Sequence, residues 1–103
     1  MKEIPYETRR RVYDAAIDRY GAISQKWMLV EEMSELQNAI AKHLRGRDTA
    51  DHVAEEIADV TIMLEQMRLI YDCNEQVKAI MANKVARLAA NVLPPNVCEA
   101  LLE

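Results

Sequence analysis

Apolar residues recur along this chain at the three-and-four spacing of helices, and no stretch alternates as a half-buried strand would. Val12, Tyr13, Ala16, Ile17 and Tyr20 share one helical face; Leu29, Met33, Leu36 and Ile40 share another, with Met28, Glu32, Glu35 and Ala39 on the adjacent row. Val53, Ile57, Val60, Leu64, Met67 and Tyr71 repeat in steps of four and three, a heptad-like seam predicted to pack closely on a neighbouring helix. His52, Glu56, Asp59 and Met63 lie on the row beside that seam. A fourth row reads Val77, Met81, Lys84, Leu88.

The breaks between rows are sparse and informative. Pro5 suits a helix start and Gly21 a helix end, so the first helix is predicted from Pro5 to about Tyr20. The second is predicted from a cap at Ser24 to near Leu44, before Gly46, and the third from Asp48 or Thr49 to about Tyr71. Asn74 is the expected cap of a fourth helix ending near Ala90, where Pro94-Pro95 stops it. The tail from Pro95 to Glu103 reads as a short helix that docks on its own subunit or on a partner. The expected fold is all-α: one domain over residues 1–103, an antiparallel bundle of four main helices plus a short C-terminal helix, completed by oligomerisation.

Composition narrows the function classes. With 103 residues, half of them hydrophobic, the chain is near the lower end of comfortable core size. Beside the seam of the third helix stand Ile62, Met63 and Ile70, more apolar surface than one small bundle covers, which points to a homo-oligomer, a dimer or a tetramer. A net charge of −4 argues against nucleic acid as a partner. No apolar run has membrane-spanning length and no signal-peptide core is present, so no membrane partner and a cytoplasmic location are expected. Cys73 and Cys98 lack metal-site spacing and are expected to be free thiols.

The candidate chemistry is acidic. Eight acids fall between Glu31 and Asp59 against Lys42, Arg45 and Arg47, and no Lys or Arg interrupts Glu31 to Asn38 or Asp51 to Glu65. Glu31/Glu35 and Glu55/Asp59 are like-charge pairs at i, i+4, which weaken a helix. The turn Arg45-Gly46-Arg47-Asp48 makes the second and third helices antiparallel neighbours. At about 1.5 Å per residue, Glu35 lies about 15 Å before that turn and Glu56 about 12 Å after it. Glu35 is therefore expected opposite Glu56, and Glu32 opposite Asp59. Such an unpaired carboxylate group is suited to a hard cation such as Mg²⁺.

Other polar positions carry weaker signals. Lys84 interrupts an apolar row, and Arg87 is expected about level with Asp59, so two cations are placed on the acidic side of the bundle. Snorkelling is the ordinary alternative for them. Arg9, Arg10 and Arg11 point in three directions around a helix and read as solvated or partner-facing. His52 reads as a polar residue near a helix start more than as a ligand. Trp27, the one tryptophan, is either a core residue or a platform on which a base stacks.

Glu31-Glu32-Met33-Ser34-Glu35, followed after twenty residues by Glu56-Ile57-Ala58-Asp59 and then by Lys84-x-x-Arg87, resembles the signature of MazG-like proteins of the all-α nucleoside triphosphate pyrophosphatase superfamily. The resemblance covers most of the chain. It implies Mg²⁺-dependent hydrolysis of (d)NTPs to the monophosphate and pyrophosphate, with Mn²⁺ as a substitute ion, in dimers or tetramers with sites between helices of different subunits. By position it implies Glu32, Glu35, Glu56 and Asp59 as metal ligands, and Lys84 and Arg87 as the residues that match the family's basic positions. Lys84 and Arg87 would hold phosphate oxygens of the substrate, Arg87 by a bidentate fork. Glu31, one residue off the ligand row, either orients a ligand, accepts a proton from the attacking water, or is a surface acid. A carboxylate-bridged di-iron bundle expects Glu-x-x-His pairs, which this chain lacks. A non-catalytic helical module that binds nucleotides or assists assembly is the alternative that the residues leave open.

Overall fold

A single residue, Gly21, separates the first two helices. The computed structural model describes residues 1–102, and their regular structure is entirely helical: α1 (Tyr6–Tyr20), α2 (Ala22–Leu44), α3 (Ala50–Ile70), α4 (Asn74–Val92) and α5 (Pro95–Leu102). Gly21 sits at φ 90°, ψ 148°, donates its N–H to the Ile17 carbonyl at 2.9 Å and accepts from the Gln25 N–H at 3.1 Å. It therefore ends α1 and caps α2 at once, in a conformation that side chains rarely adopt. The expected cap at Ser24 is corrected by this: Ser24 is an exposed residue inside α2, because the chain needs no loop there.

The turn between α2 and α3 closes by a different glycine. Gly46, at φ 73°, follows the C-cap Arg45; its N–H reaches the His43 carbonyl, and the Arg47 N–H reaches the Lys42 carbonyl at 2.9 Å. These are the paired bonds that satisfy the last carbonyls of a helix ending in a left-handed residue. Asp48 and Thr49 then start α3. The Asp48 carboxylate accepts from the Thr49 N–H at 2.7 Å, and the Thr49 hydroxyl oxygen accepts from the His52 N–H at 3.2 Å.

The elements fall into two compact units, residues 1–72 with α1, α2 and α3, and the residues from Cys73 onward with α4 and α5. In the first, α2 and α3 form an antiparallel pair and α1 packs on both. Arg9 fastens α1 to α3, its Nε and Nη2 donating to the two Glu65 oxygens at 3.2 and 3.0 Å while the Tyr13 hydroxyl donates to Glu65 Oε1 at 2.8 Å. Arg9 is thus a part-buried latch, whereas Arg10 and Arg11 are exposed as expected. In the second unit, Leu93 is extended before Pro94, and the Pro94 carbonyl accepts from the N–H groups of Val97 and Cys98 to open α5, which lies against α4. Cys73, not Asn74, precedes the first residue of α4, and it offers no side-chain cap. Both cysteines are free. The expected tail helix is present to Leu102; Glu103 lies outside the described residues.

The buried row of α3 lies one residue from the expected seam, while that of α2 keeps Leu29 and Leu36 of the expected stripe. On α2 the inward row is Gln25, Leu29, Glu32, Leu36 and Ala39; on α3 it is His52, Glu56, Asp59, Met63, Gln66 and Ile70. Each steps by four and three, as close antiparallel packing requires. The predicted seam of α3 is not the buried one: Ile57, Leu64 and Tyr71 are 50%, 48% and 59% exposed, and only Val60 of that row is buried. Met33 and Ile40 of the predicted α2 stripe are exposed too. Apolar periodicity identifies a face that avoids water, and here the contact within the unit is made by the row beside it.

That inward row is polar at both ends of its middle. Gln25 and Gln66 are buried and joined by a 2.6 Å hydrogen bond from Gln25 Nε2 to Gln66 Oε1, and Gln66 Nε2 approaches Met63 Sδ at 3.7 Å. A buried amide without its partner is costly, so the pair favours one sliding register of α2 on α3. The same register brings Glu35 level with Glu56.

The latch generates a test. Burial would raise the Glu65 carboxyl, but the hydrogen bonds and charge of Arg9 and the Tyr13 hydroxyl outweigh it and hold the group below its ordinary range. A depressed native pKa contributes stability above the ordinary carboxylate range that is lost as pH falls through the native value. The stability difference between the wild type and Glu65→Gln, measured by denaturant titration, is expected to be full near pH 7 and to shrink steadily below about pH 4. A difference that stays constant down to about pH 3 would show that Glu65 acts by packing alone.

Candidate metal centre in the helix pair

The middle of the α2/α3 seam brings three acids together. Glu32, Glu35 and Glu56 each present a carboxylate oxygen, and these oxygens all lie within 4.8 Å of one another. Glu32 and Glu35 stand one turn apart on α2, and Glu56 comes from α3. The helix pair, rather than any loop, therefore sets the geometry. Glu56 is 8% exposed, Glu32 half-buried and Glu35 exposed, so the group grades from the interior to the surface.

Two of these oxygens lack what a buried carboxylate requires. Glu32 Oε2 and Glu56 Oε2 are buried and have no hydrogen-bond partner among the described residues. Burial pushes the Glu32 carboxyl above its ordinary range, and the charges of Glu35, Asp59 and Glu56 and a hydrogen bond with Glu35 push it further. Both effects act against the ionised form. A cation placed among the three would reverse them.

His52 touches this group from the start of α3. Its Nε2 lies 3.3 Å from Glu56 Oε1, and its Nδ1 lies 2.5 Å from Asp48 Oδ2. The hydrogen bond and charge of Asp48 raise the His52 pKa, with Glu56 adding to the effect. The sequence reading of His52 as a helix-start residue holds for its backbone, which Thr49 caps, but it missed the ring's bridge between two carboxylates. The signal was present as Asp48, His52 and Glu56 at successive i, i+4 spacings.

Of the four predicted ligands, the fourth stands slightly apart. Asp59, half-buried one turn beyond Glu56, is close enough to raise Glu32 but is not among the three converging oxygens. Its side chain is one methylene shorter than that of a glutamate. Glu31 is exposed on α2, outside the trio. Trp27 is 65% exposed and lines an open apolar groove with Ile23, Lys26 and Val30, so it is not the core residue that a lone tryptophan most often becomes. Lys26 instead places its ammonium over the Tyr71 ring, 4.4 Å from the centroid. Lys84 and Arg87 are exposed on α4. Among the described residues no helix is long and apolar enough to cross a membrane.

The donor set suits a hard divalent cation, being all carboxylate oxygen. Oxygens bound to one Mg²⁺ at about 2.1 Å are about 3.0 Å apart when adjacent and about 4.2 Å apart when opposite, so a trio within 4.8 Å would draw in by up to about 1.8 Å per pair to share an ion. Glutamate side chains supply that by small torsional changes. Comparison of the chain with protein-family models, with curated proteins and with solved structures gives no match.

Proposed function

We propose that the acid trio of α2 and α3 binds Mg²⁺, with Mn²⁺ as a substitute, and that the protein hydrolyses nucleoside triphosphates to the monophosphate and pyrophosphate. The observation that carries the metal reading is the pair of buried oxygens, Glu32 Oε2 on α2 and Glu56 Oε2 on α3, that have no hydrogen-bond partner among the described residues. Surface acids would keep their hydration; these have given it up without a protein donor in exchange. The reaction class rests on the motif resemblance described above.

In this reading Glu32, Glu35 and Glu56 hold the ion and Asp59, one turn further along α3, completes its shell or orients a bound water. Mg²⁺ when bound would neutralise triphosphate charge and lower the pKa of an attacking water. The exposed position of Glu35 leaves the site open to solvent on one side, where a triphosphate can approach. Trp27, two turns before Glu35 on α2 and exposed, offers a face for a nucleobase. The assignment of phosphate oxygens to Lys84 and Arg87, and of proton acceptance to Glu31, rests on the resemblance alone. The outward apolar row of Ile57, Leu64 and Tyr71 supports assembly as a homo-oligomer, because a face that recurs in heptads is costly to leave in water.

Three measurements test this reading. Incubation with the common NTPs and dNTPs and Mg²⁺ is expected to release pyrophosphate, not single phosphate, from at least one of them; Mg²⁺ binding without turnover of any nucleotide would leave a binding module instead. Glu32→Gln is expected to stabilise the metal-free protein by about 1 kcal/mol, since it removes a charge that burial and three neighbouring acids disfavour, yet to lower turnover by about 100-fold and to shrink the gain in melting temperature on adding Mg²⁺. Unchanged melting in both conditions with unchanged turnover would remove the trio from the active site. Sedimentation at micromolar concentration is expected to give a dimer or tetramer, and a fully active monomer would exclude assembly as a requirement.

A further inference from the structure

Glu56 is the most enclosed of the three acids, and its two oxygens have different surroundings. Oε1 faces His52 Nε2 at 3.3 Å, while Oε2 is buried and has no hydrogen-bond partner among the described residues. His52 is itself held from behind, with Nδ1 2.5 Å from Asp48 Oδ2, and Asp48 is fixed in turn by the Thr49 N–H at 2.7 Å. The four residues form a chain of contacts running from the turn into the seam. The ring is 43% exposed on its outer side, and the carboxylates at either end are largely enclosed.

We infer that His52 is a positioning residue for the metal centre: braced by Asp48, it holds Glu56 by Oε1 so that Oε2 is presented as the donor to a divalent cation. The inference rests on the metal reading proposed above and extends it to residues outside the acid trio. The physical case is one of rotamer freedom. An unbraced glutamate has three side-chain torsions, and a donor that must be ordered on binding weakens the site. Residues that hold a ligand by its other atom commonly change metal affinity by about 10–100-fold when removed. The competing effect is repulsion between a protonated His52 and the incoming ion. The ring is in contact with water and is separated from the ion by Glu56, so screening reduces that repulsion and the positioning effect prevails.

Titration of the intact protein with Mn²⁺ alone, followed by electron paramagnetic resonance of the free and bound ion, tests this without reference to turnover. His52→Ala is expected to weaken Mn²⁺ binding by about 10–100-fold and to broaden the bound-ion spectrum through a less ordered ligand shell. His52→Gln, which can return an N–H to Glu56 Oε1, is expected to recover most of the affinity, and Asp48→Asn to give an intermediate loss. Glu56→Gln serves as the control that removes the ligand itself. If His52→Ala binds Mn²⁺ as tightly as the wild type, or more tightly, while Glu56→Gln is weakened, the positioning role is overturned and the metal centre stands. A loss in His52→Ala that His52→Gln does not recover also overturns it, since the ring would then act by packing. Wild-type protein that binds no Mn²⁺ overturns both.

Discussion

The pairing of α2 with α3 along rows that carry acids and amides among their apolar residues is the constraint on which the rest depends. A helix pair normally buries its most hydrophobic stripe, and both helices have one to offer. Here Glu32, Glu56 and the Gln25–Gln66 pair take the inward positions, with Leu29, Leu36, Ala39, Val60 and Met63 around them. Polar groups in that place have a cost, which the glutamine pair meets by an internal hydrogen bond. The carboxylates meet it only in part, through His52 on one side of Glu56.

The remaining features of the first unit hold this arrangement in place. Gly21 and Gly46 let the chain reverse with little or no intervening loop, so the two helices enter the pair with fixed ends. The Arg9–Glu65–Tyr13 cluster ties α1 across α3 on the side away from the turn. A site built between two helices, each restrained at its ends, keeps its side chains closer to one geometry than a site on loops would. The gradation from enclosed Glu56 to exposed Glu35 then gives an opening for a ligand without any moving part.

The displaced apolar row has a second consequence. Ile57, Leu64 and Tyr71 on α3, like Met33 and Ile40 on α2, are at least 42% exposed although their spacing is that of a buried seam. The exposed side chains form an apolar stripe that the first unit leaves uncovered beside the row it buries. The acids and the apolar seam are neighbouring rows of the same helix.

Local rules determined much of this protein on their own. Helical periodicity, the proline pair and the two glycines predicted five helices whose described ends agree with the structure to within about two residues, except the start of α2, whose cap at Gly21 lies three residues before the expected cap at Ser24, and turn length with rise per residue placed Glu35 opposite Glu56. Those inferences succeed because hydrogen bonding along a helix and the left-handed freedom of glycine act over a few residues. Which face of each helix turns inward was decided only in three dimensions. Rows one residue apart differ by about 100° around the axis, and a sequence that carries an acidic row beside an apolar one states that both have partners without stating which partner is whose. The Gln25–Gln66 bond, the Arg9 latch and the His52 bridge join residues 41, 56 and four positions apart. The first two depend on the path of the whole unit, and the third on the side-chain rotamers that His52 and Glu56 adopt in the folded chain.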